Sequence, residues 1–326
     1  MAHYLVTGAA GFIGARTSSI LIEQGHTVVG VDNMNDAYDV RIKEFRLRNL
    51  QKLTGFEFVR DDISDREILK RKSAIVNRKF DAVINLAARA GVRYSVSDPW
   101  VFLNSNVMGT LNMLELCRQT GCPKFLLAST SSIYGANPPY PTPETASSSE
   151  PLQPYAASKK GAEVLAHSYR YLHNIDVSIV RYFTVFGPAG RPDLAIFRFV
   201  QRITEGQPIR VNGDGEQSRG FTYIDDIARG SIAALKPLGY EIINLGGHET
   251  ITINNLIKLT EEIVGKKAIV EYGPPDLADM RSNWADVSKA RAMLGWEPQV
   301  GLREGITHLY EWYRAERAWA KDIITS

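Results

Sequence analysis

Short runs of apolar residues alternate along this chain with longer segments in which apolar residues recur at helical spacing. The apolar runs cover residues 4–6, 27–31, 56–59, 82–86, 125–128 and 177–180. Helical patterns lie between them, including residues 101–118 and 155–172. Strands that alternate with helices predict an α/β fold with a doubly wound parallel sheet.

The pattern changes near residue 184, where glycine and proline begin to separate shorter elements. Gly187-Pro188, Gly213-Asp214-Gly215 and Pro274-Pro275 are examples. We expect a nucleotide-binding domain over residues 1–183 and a smaller C-terminal α/β substrate domain over 184–220 and 246–326. Residues from about 221 to 245 are expected to return to the first domain.

A glycine-rich turn follows the first predicted strand. Gly8, Gly11 and Gly14 precede a helical pattern, and Asp32 ends the second strand. Glycines in this context let backbone N–H groups approach a pyrophosphate at a helix N-terminus. A carboxylate about 20 residues later accepts hydrogen bonds from a ribose diol and repels a 2′-phosphate. The turn therefore predicts NAD as the cofactor.

Further cofactor contacts are expected beyond the carboxyl ends of the neighbouring strands, where ligands bind in such sheets. The predicted set combines residues of the glycine turn, residues that follow strands, and one residue of the segment 101–118. Its members are Phe12, Ile13, Asn33, Asn35, Asp62, Ile63, Ala87, Ala88 and Asn106.

Tyr155 and Lys159 lie four residues apart in a helical pattern, so their side chains share one face of the helix. A free tyrosine has a pKa of about 10 and is a poor base at neutral pH. A neighbouring cation lowers that pKa. We expect Tyr155 to take a proton from an alcohol as a hydride leaves the same carbon, with both residues beside the cofactor.

Composition narrows the remaining possibilities. The 326 residues are 44% hydrophobic, enough for a large core, and the net charge of +2 favours no class of partner. The basic stretch 41–48 is interleaved with apolar residues, which predicts an amphipathic helix with a solvated basic face and no nucleic-acid interface. Cys117 and Cys122 form no disulfide or metal pattern, so we expect a reducing cytoplasm and no metal site. We also expect no signal peptide and no membrane span.

The glycine turn, Thr130 ahead of Tyr155-x-x-x-Lys159, and the chain length resemble the extended short-chain dehydrogenase/reductase family, and within it the nucleotide-sugar epimerases. The resemblance covers nearly the whole chain. It implies a Rossmann domain that binds NAD tightly, a small domain for a UDP-sugar, and a homodimer built on a four-helix bundle. It also implies that Thr130 assists Tyr155 at the sugar 4-hydroxyl, and that Lys159 binds the nicotinamide ribose and lowers the pKa of Tyr155.

The residues at the two positions that follow Thr130 differ between subfamilies of this family. Dehydratases of this family carry an Asp-Glu pair there as acid and base, whereas this chain has Ser131 and Ser132. Serine hydroxyls do not titrate near neutral pH, so dehydration is not expected. Related UDP-glucuronate decarboxylases usually carry glutamate at the position of Ser132, which argues against decarboxylation.

The segment from Thr184 to Asp193, which includes Gly190-Arg191-Pro192, is similar to UDP-glucuronate 4-epimerases, as are residues 32–39 and 90–94. UDP-glucose 4-epimerases usually carry asparagine at the position of Thr184. Arg191 offers planar, bidentate donors for a uronate carboxylate. Ser131, Ser132 and Thr184 are expected to add neutral donors. The structural alternative for Arg191 is a surface salt bridge in a Gly-Pro loop.

For the nucleotide, Arg219 matches a family arginine that contacts the diphosphate, although Gly220 replaces the usual aspartate after it. Asp279 matches an acid that binds the uridine ribose. Arg93 is expected to contact the diphosphate or to cap a helix.

Together these residues predict reversible conversion of UDP-glucuronate to UDP-galacturonate through a 4-keto sugar. The alternatives are a UDP-glucose or UDP-N-acetylhexosamine 4-epimerase, a UDP-glucuronate decarboxylase, and an NAD-binding regulator without catalysis.

Overall fold

The computed structural model of the protein describes residues 1–70, 75–247, 249–275 and 282–325. Its strands are β1 (His3–Thr7), β2 (Thr27–Asp32), β3 (Phe56–Arg60), β4 (Ala82–Asn85), β5 (Lys124–Thr130), β6 (Asp176–Tyr182), β7 (Thr184–Phe186), β8 (Pro208–Asn212), β9 (Ser218–Tyr223), β10 (Tyr240–Leu245), β11 (Glu249–Thr252) and β12 (Ile269–Gly273). Its α-helices are α1 (Phe12–Glu23), α2 (Val40–Leu50), α3 (Tyr94–Ser97), α4 (Pro99–Phe102), α5 (Gly109–Thr120), α6 (Pro154–His173), α7 (Ala195–Glu205), α8 (Ile224–Ala233), α9 (Ile253–Val264), α10 (Ser288–Leu294), α11 (Leu302–Ala315) and α12 (Arg317–Ala320). Short 3₁₀ helices cover Arg66–Leu69 and Ser131–Tyr134.

The larger sheet has seven strands in the described part of the chain, in the order β10-β6-β5-β4-β1-β2-β3. Every neighbouring pair in it is parallel, and helices cover both faces. The predicted α/β fold class is therefore confirmed. Strand order reverses between β1 and β4, and a crevice at such a reversal is the usual ligand site of doubly wound sheets.

The central strands are apolar because both of their faces are covered. All residues of β4 and β5 are buried, as expected for parallel strands between two helical layers. Each of these strands ends in polar residues, and these polar ends meet at one edge of the sheet.

The smaller part of the molecule contains a three-stranded sheet, β11-β9-β7, and a parallel pair, β12-β8. One buried apolar cluster includes residues of the first strand, such as Val6, and residues of α11, such as Ile306 and Leu309. The domain boundaries given by the sequence stay a prediction.

The helical segment at 101–118 is divided rather than continuous. It consists of the end of α4, a π-helical stretch at Leu103–Met108, and α5. The side chain of Asn106, within the π-helical stretch, exchanges hydrogen bonds with the backbone of Arg89 at 2.8 and 3.0 Å. A π-helical insertion of this kind often marks a functional region.

The prediction for the basic stretch 41–48 is wrong in one respect. It forms α2, but two of its cations are not solvated, because Lys43 and Arg46 are each only 5% exposed. Both find polar partners inside the molecule, which lets a long charged side chain be buried. No helix among the described residues is long and apolar enough to cross a membrane.

Candidate active site

The glycine turn between β1 and α1 brings the chain close to itself. Gly8 has a φ of +69°, and a Cβ on Gly11 would lie 2.8 Å from the Gly8 carbonyl oxygen. A Cβ on Gly14 would overlap that same oxygen. Helix α1 begins after Gly11 without a side-chain cap. Its first N–H groups and its positive dipole end therefore suit a diphosphate, which fits the predicted NAD.

Asp32 lies at the end of β2, next to the glycine turn. Its carboxylate accepts hydrogen bonds from Ala10 N at 3.2 Å and Met34 N at 2.8 Å. Lys43 Nζ lies 3.6 Å from Asp32 Oδ1 and donates to Asn35 Oδ1 at 3.0 Å. The carboxylate is thus fixed at the place where a ribose diol is expected, with a cation beside it.

Other residues of the predicted cofactor set surround the same sheet edge. Asn33 Nδ2 donates to Asp62 Oδ2 at 2.8 Å. Burial would raise the pKa of Asp62, but hydrogen bonds from Ser64 and Asn33 outweigh it and hold that pKa below its ordinary value. Ile63 and Ala87 lie in the loops after β3 and β4. Ile63 O accepts from Asn112 Nδ2 at 2.7 Å, and Ala87 N donates to Thr7 Oγ1 at 3.1 Å.

Some members of that set have structural partners of their own. Asn106 is buried and donates to Ser158 Oγ at 2.9 Å, which ties the π-helical stretch to α6. Phe12 opens α1 and is 6% exposed. Ile13 is half-buried in the first turn of α1, and Ala88 is half-buried in the loop after β4.

Tyr155 and Lys159 lie in the first turns of α6, which begins at Pro154. The ring of Tyr155 packs edge-on against Phe102 at 6.0 Å between centroids. Lys159 is buried and donates from Nζ to Ala128 O of β5 at 2.9 Å. Helix α6 is thereby held over the end of β5, where Thr130 is located.

The electrostatics at Tyr155 differ from the expectation that Lys159 lowers its pKa. Burial raises the pKa of Tyr155, and the two groups that act in the other direction are the Thr130 hydroxyl, through a hydrogen bond, and the Arg191 charge. Burial lowers the pKa of Lys159 to about 8, although the charge of Glu163 acts to raise it. The ammonium of Lys159 is directed to a carbonyl rather than to the phenol.

Thr130 and the serines after it form one polar turn. Thr130 Oγ1 accepts from Ser132 N at 3.2 Å and lies 3.3 Å from Ser132 Oγ. Ser131 Oγ accepts from Asn283 Nδ2 at 3.1 Å. The chain around residue 283 therefore reaches the turn from the C-terminal part of the protein.

Arg191 lies close enough to Tyr155 for each charge to affect the other. Burial would lower the pKa of Arg191, but the Asp193 carboxylate outweighs it and raises that pKa. Arg191 contacts Asp193 through Nε at 3.1 Å and through Nη2 at 2.5 Å. The salt bridge considered from the sequence is thus present, but it lies beside Tyr155. Thr184, in β7, lines a small cavity with Arg191.

The remaining predicted residues are more dispersed. Arg93 is exposed and immediately precedes α3 without a side-chain cap. Arg219, in β9, donates to Ser218 O at 2.8 Å, and its charge acts on Tyr140, which stacks on Trp284. Asp279 lies outside the described residues.

Sequence reasoning missed the residues that support this site. Glu163 accepts from Ser129 Oγ at 2.6 Å and from Arg181 at 2.8 and 2.9 Å, all of them buried. The helical spacing of Lys159 and Glu163 was a usable signal, since residues four apart share a face. Asn283 and Arg46 gave no local signal, because their partners are far away in the sequence. No group of metal ligands occurs among the described residues.

Comparison with known proteins places this site in context. The family model described as GDP-mannose 4,6 dehydratase matches residues 5–309. A UDP-glucuronate 4-epimerase of Thermodesulfobacterium geofontis is 52% identical over 325 residues, which are 99% of each chain. A UDP-glucuronic acid 4-epimerase mutant from Bacillus cereus, crystallised with UDP-4-deoxy-4-fluoro-glucuronic acid and NAD, is 35% identical with a TM-score of 0.89, covering 96% of this chain and 99% of that one.

A UDP-glucose 4-epimerase from Thermotoga maritima, crystallised with UDP-glucose, has a TM-score of 0.88 at 32% identity, covering 97% of this chain and 99% of that one. The backbone alone therefore does not distinguish enzymes that act on uronates from enzymes that act on neutral sugars. The distinction depends on the side chains around Tyr155.

Proposed function

The chain belongs to the GDP-mannose 4,6-dehydratase family of extended short-chain dehydrogenases/reductases, and from this premise we propose that it is an NAD-dependent UDP-glucuronate 4-epimerase. The reaction is the reversible conversion of UDP-glucuronate to UDP-galacturonate. The observation that carries the proposal is the position of the Tyr155 phenol, which is hydrogen-bonded to Thr130 and lies beside the cation of Arg191.

The family name does not imply dehydration here. Elimination of water from a 4-keto sugar needs a proton donor and a base near the sugar. At the two positions after Thr130 this chain has serines, with Ser131 bonded to Asn283 and Ser132 bonded to Thr130. Neutral hydroxyls can donate to a ligand, but they cannot serve as acid and base at neutral pH. Epimerisation needs neither group.

Tyr155 and Thr130 are placed to accept and return the proton of the sugar 4-hydroxyl. The Thr130 hydroxyl and the Tyr155 phenol form one hydrogen-bonded pair, so a sugar 4-hydroxyl bound next to this pair can pass its proton to the phenolate. The position of Tyr155 in the first turn of α6 favours the phenolate, because that end of the helix is positive. When bound, NAD supplies the hydride acceptor and donor at C4. Inversion would require the 4-keto sugar to turn, so that the hydride returns to the opposite face of C4 while Tyr155 returns the proton to O4.

The uronate carboxylate needs control while the sugar is oxidised. A 4-keto-hexuronate is a β-keto acid, which loses carbon dioxide when the breaking C–C bond aligns with the carbonyl π system. Arg191 binds Asp193 through Nε and Nη2 and carries further N–H donors on Nη1 for a second carboxylate. We infer that Arg191, with Thr184 and the two serines, keeps the carboxylate out of that alignment.

The test is a comparison of substrates on the holoenzyme. Wild-type protein is incubated with UDP-glucuronate and, separately, with UDP-glucose, and the products are separated by chromatography. We expect UDP-galacturonate as the main product, and we expect Arg191→Ala to reduce uronate turnover far more than any turnover of UDP-glucose. Equal losses on both substrates would remove Arg191 from the carboxylate site. Turnover of UDP-glucose alone would favour the neutral-sugar alternative.

We further propose that the protein is a homodimer formed through α6 and the segment that leads into α5. These elements expose large apolar side chains, namely Trp100, Leu103, Met108, Val164, Tyr171 and Leu172. Two such pairs of elements would form a four-helix bundle that removes this surface from water. A cytoplasmic location is also proposed, supported by the two cysteines being free thiols.

A further inference from the structure

Arg46 is a buried cation on α2 that the proposed chemistry does not use. It is 5% exposed, and among the described residues no carboxylate forms a salt bridge with it. Its guanidinium instead donates five hydrogen bonds. They go to Ala189 O at 2.9 and 2.6 Å, Gly190 O at 3.1 Å, Ala10 O at 3.2 Å and Tyr38 Oη at 2.7 Å.

The backbone carbonyls among these acceptors come from two loops that are distant in the sequence. Ala10 lies in the glycine turn of the cofactor site, whereas Ala189 and Gly190 immediately precede Arg191. Ala189 has a φ of +50°, a conformation that non-glycine residues rarely adopt. The bonds from Arg46 to Ala189 O and Gly190 O offset the cost of that conformation, because they satisfy carbonyls that would otherwise be buried without donors.

The surroundings of Arg46 extend to Arg191 itself. The guanidinium carbon of Arg46 lies 5.5 Å from the centre of the Phe12 ring and 5.6 Å from that of Tyr38. Tyr38, which accepts a hydrogen bond from Arg46, is also close enough to Arg191 to act on its charge. A substitution of Arg46 therefore removes the hydrogen bond to the carbonyl of Gly190, directly before Arg191, and the hydrogen bond to Tyr38, whose ring lies near Arg191.

We propose that Arg46 is a positioning residue that fixes the segment 187–191 against the glycine turn and so sets the place of Arg191 for a uronate carboxylate. This inference rests on the proposed function. Arginine suits the task because its planar fork can satisfy several carbonyls from fixed directions at once. A lysine would keep the charge but has a single nitrogen, so it cannot hold both loops in the same geometry.

The experiment compares three holoenzyme variants. Arg46→Met removes the donors, Arg46→Lys keeps the charge, and Arg48→Met is the matched control, since Arg48 is an exposed arginine on the same helix. The measurements are KM and kcat for UDP-glucuronate, the inhibition constant of UDP, and the ratio of UDP-pentose to UDP-galacturonate among the products. UDP lacks the sugar and its carboxylate, so its inhibition constant reports the nucleotide site alone.

For Arg46→Met we expect KM for UDP-glucuronate to rise about tenfold, because a small displacement of a binding group has large effects on a positioned substrate. The inhibition constant of UDP should stay within about twofold of wild type, since the nucleotide contacts are not displaced. The pentose ratio should increase, because a loosely held carboxylate can reach the alignment for decarboxylation. Arg46→Lys should restore the melting temperature toward that of the wild type, but its ratio of UDP-pentose to UDP-galacturonate should stay above the wild-type value.

Unchanged KM and pentose ratio in Arg46→Met would overturn the inference, whatever happens to its melting temperature. Parallel losses for UDP-glucuronate and UDP would also overturn it, because they would mean a general loss of structure. If Arg46→Met does not fold, Arg46→Lys carries the same comparison. Failure of the wild type to convert UDP-glucuronate would instead contradict the proposed function and is seen before any variant is measured.

Discussion

At the scale of single residues, the pKa of Tyr155 is set by opposing effects. Burial raises the pKa of its phenol, while the Thr130 hydrogen bond and the Arg191 charge lower it. Without bound ligands the phenol is therefore protonated at neutral pH. Further positive charge near the phenol is needed to make it a base, and a bound oxidised nicotinamide supplies positive charge of that kind.

Replacing Tyr155 by phenylalanine removes the phenol oxygen and leaves the ring packed against Phe102. We expect kcat to fall by at least about 10²-fold, the usual contribution of a positioned acid–base group. NAD content, measured by absorbance after denaturation, should stay at the wild-type level. Tyr171→Phe, at an exposed tyrosine of the same helix, is the control. Activity of Tyr155→Phe close to that of the control would refute the assignment.

Lys159 should lower the stability of the nucleotide-free protein at neutral pH. Its pKa is about 8 in the folded protein, against an ordinary value of 10.5. Because folding disfavours the charged form, the penalty is fully present below pH 8 and disappears as the pH rises to about 10.5. Lys159→Met should therefore increase the free energy of unfolding at pH 7 by about 2 kcal/mol, allowing for the lost bond to Ala128.

That gain should shrink toward zero near pH 10, as followed by urea unfolding at a series of pH values. A gain that is independent of pH would show that the ammonium is not desolvated. The same variant should lose activity, because the residue predicted to bind the ribose would be gone.

Residue identity could be predicted where the signal is local. Tyr155 and Lys159 are four apart in one helix, and the glycine turn and Asp32 are fixed by their distance from the first two strands. Arg46 could not be found in this way, since Ala189 is 143 residues away and a backbone carbonyl has no sequence signature. A basic residue among apolar ones is typical of the solvent-exposed face of a helix, but in the structure Arg46 is buried.

At the scale of elements, α6 is anchored by a buried ion pair. Glu163 on α6 binds Arg181 on β6 and Ser129 on β5, and Arg181 donates to Tyr134 Oη at 3.0 Å. These bonds join the helix that carries Tyr155 and Lys159 to two central strands. Two fully buried charges are tolerated because nearly all their donors and acceptors are satisfied.

Glu163→Gln leaves the Arg181 charge buried without its counter-charge. We expect a loss of about 3–5 kcal/mol in the free energy of unfolding, as for other broken buried pairs. Chemical denaturation measures it. The control is Arg118→Gln, which breaks the pair with Glu115 at the surface of α5 and should cost far less, because ion pairs that solvent can reach contribute little to stability. Similar costs for the two variants would mean that Glu163 does not anchor α6.

The elements themselves were largely predictable. Strands β4 and β5 are short apolar runs between helical patterns, so their position in a parallel sheet follows from the sequence. The division of the segment 101–118 was not predictable, because the π-helical stretch depends on contacts of Asn106 with Arg89 and Ser158. Those partners lie 17 and 52 residues away.

At the scale of the whole molecule, the exposed apolar face on α4, the π-helical stretch and α6 predicts association. Trp100 is 78% exposed and belongs to this face. Trp100→Glu places a charge where two subunits would meet, and burying it without a partner costs several kcal/mol. We expect sedimentation equilibrium to show a dimer for the wild type and a monomer for the variant. An unchanged dimer would place the interface elsewhere.

Epimerases that act on uronates and epimerases that act on neutral sugars share this backbone, so only a measurement of the reaction itself can distinguish the two functions. The most direct test is proton NMR of the holoenzyme incubated with UDP-glucuronate in deuterium oxide. The proposed function predicts the anomeric signal of UDP-galacturonate, little UDP-pentose, and a C4 position that keeps its protium, because the hydrogen that leaves C4 returns to it without mixing with solvent. Deuterium at C4, or a UDP-pentose as the main product, would contradict it.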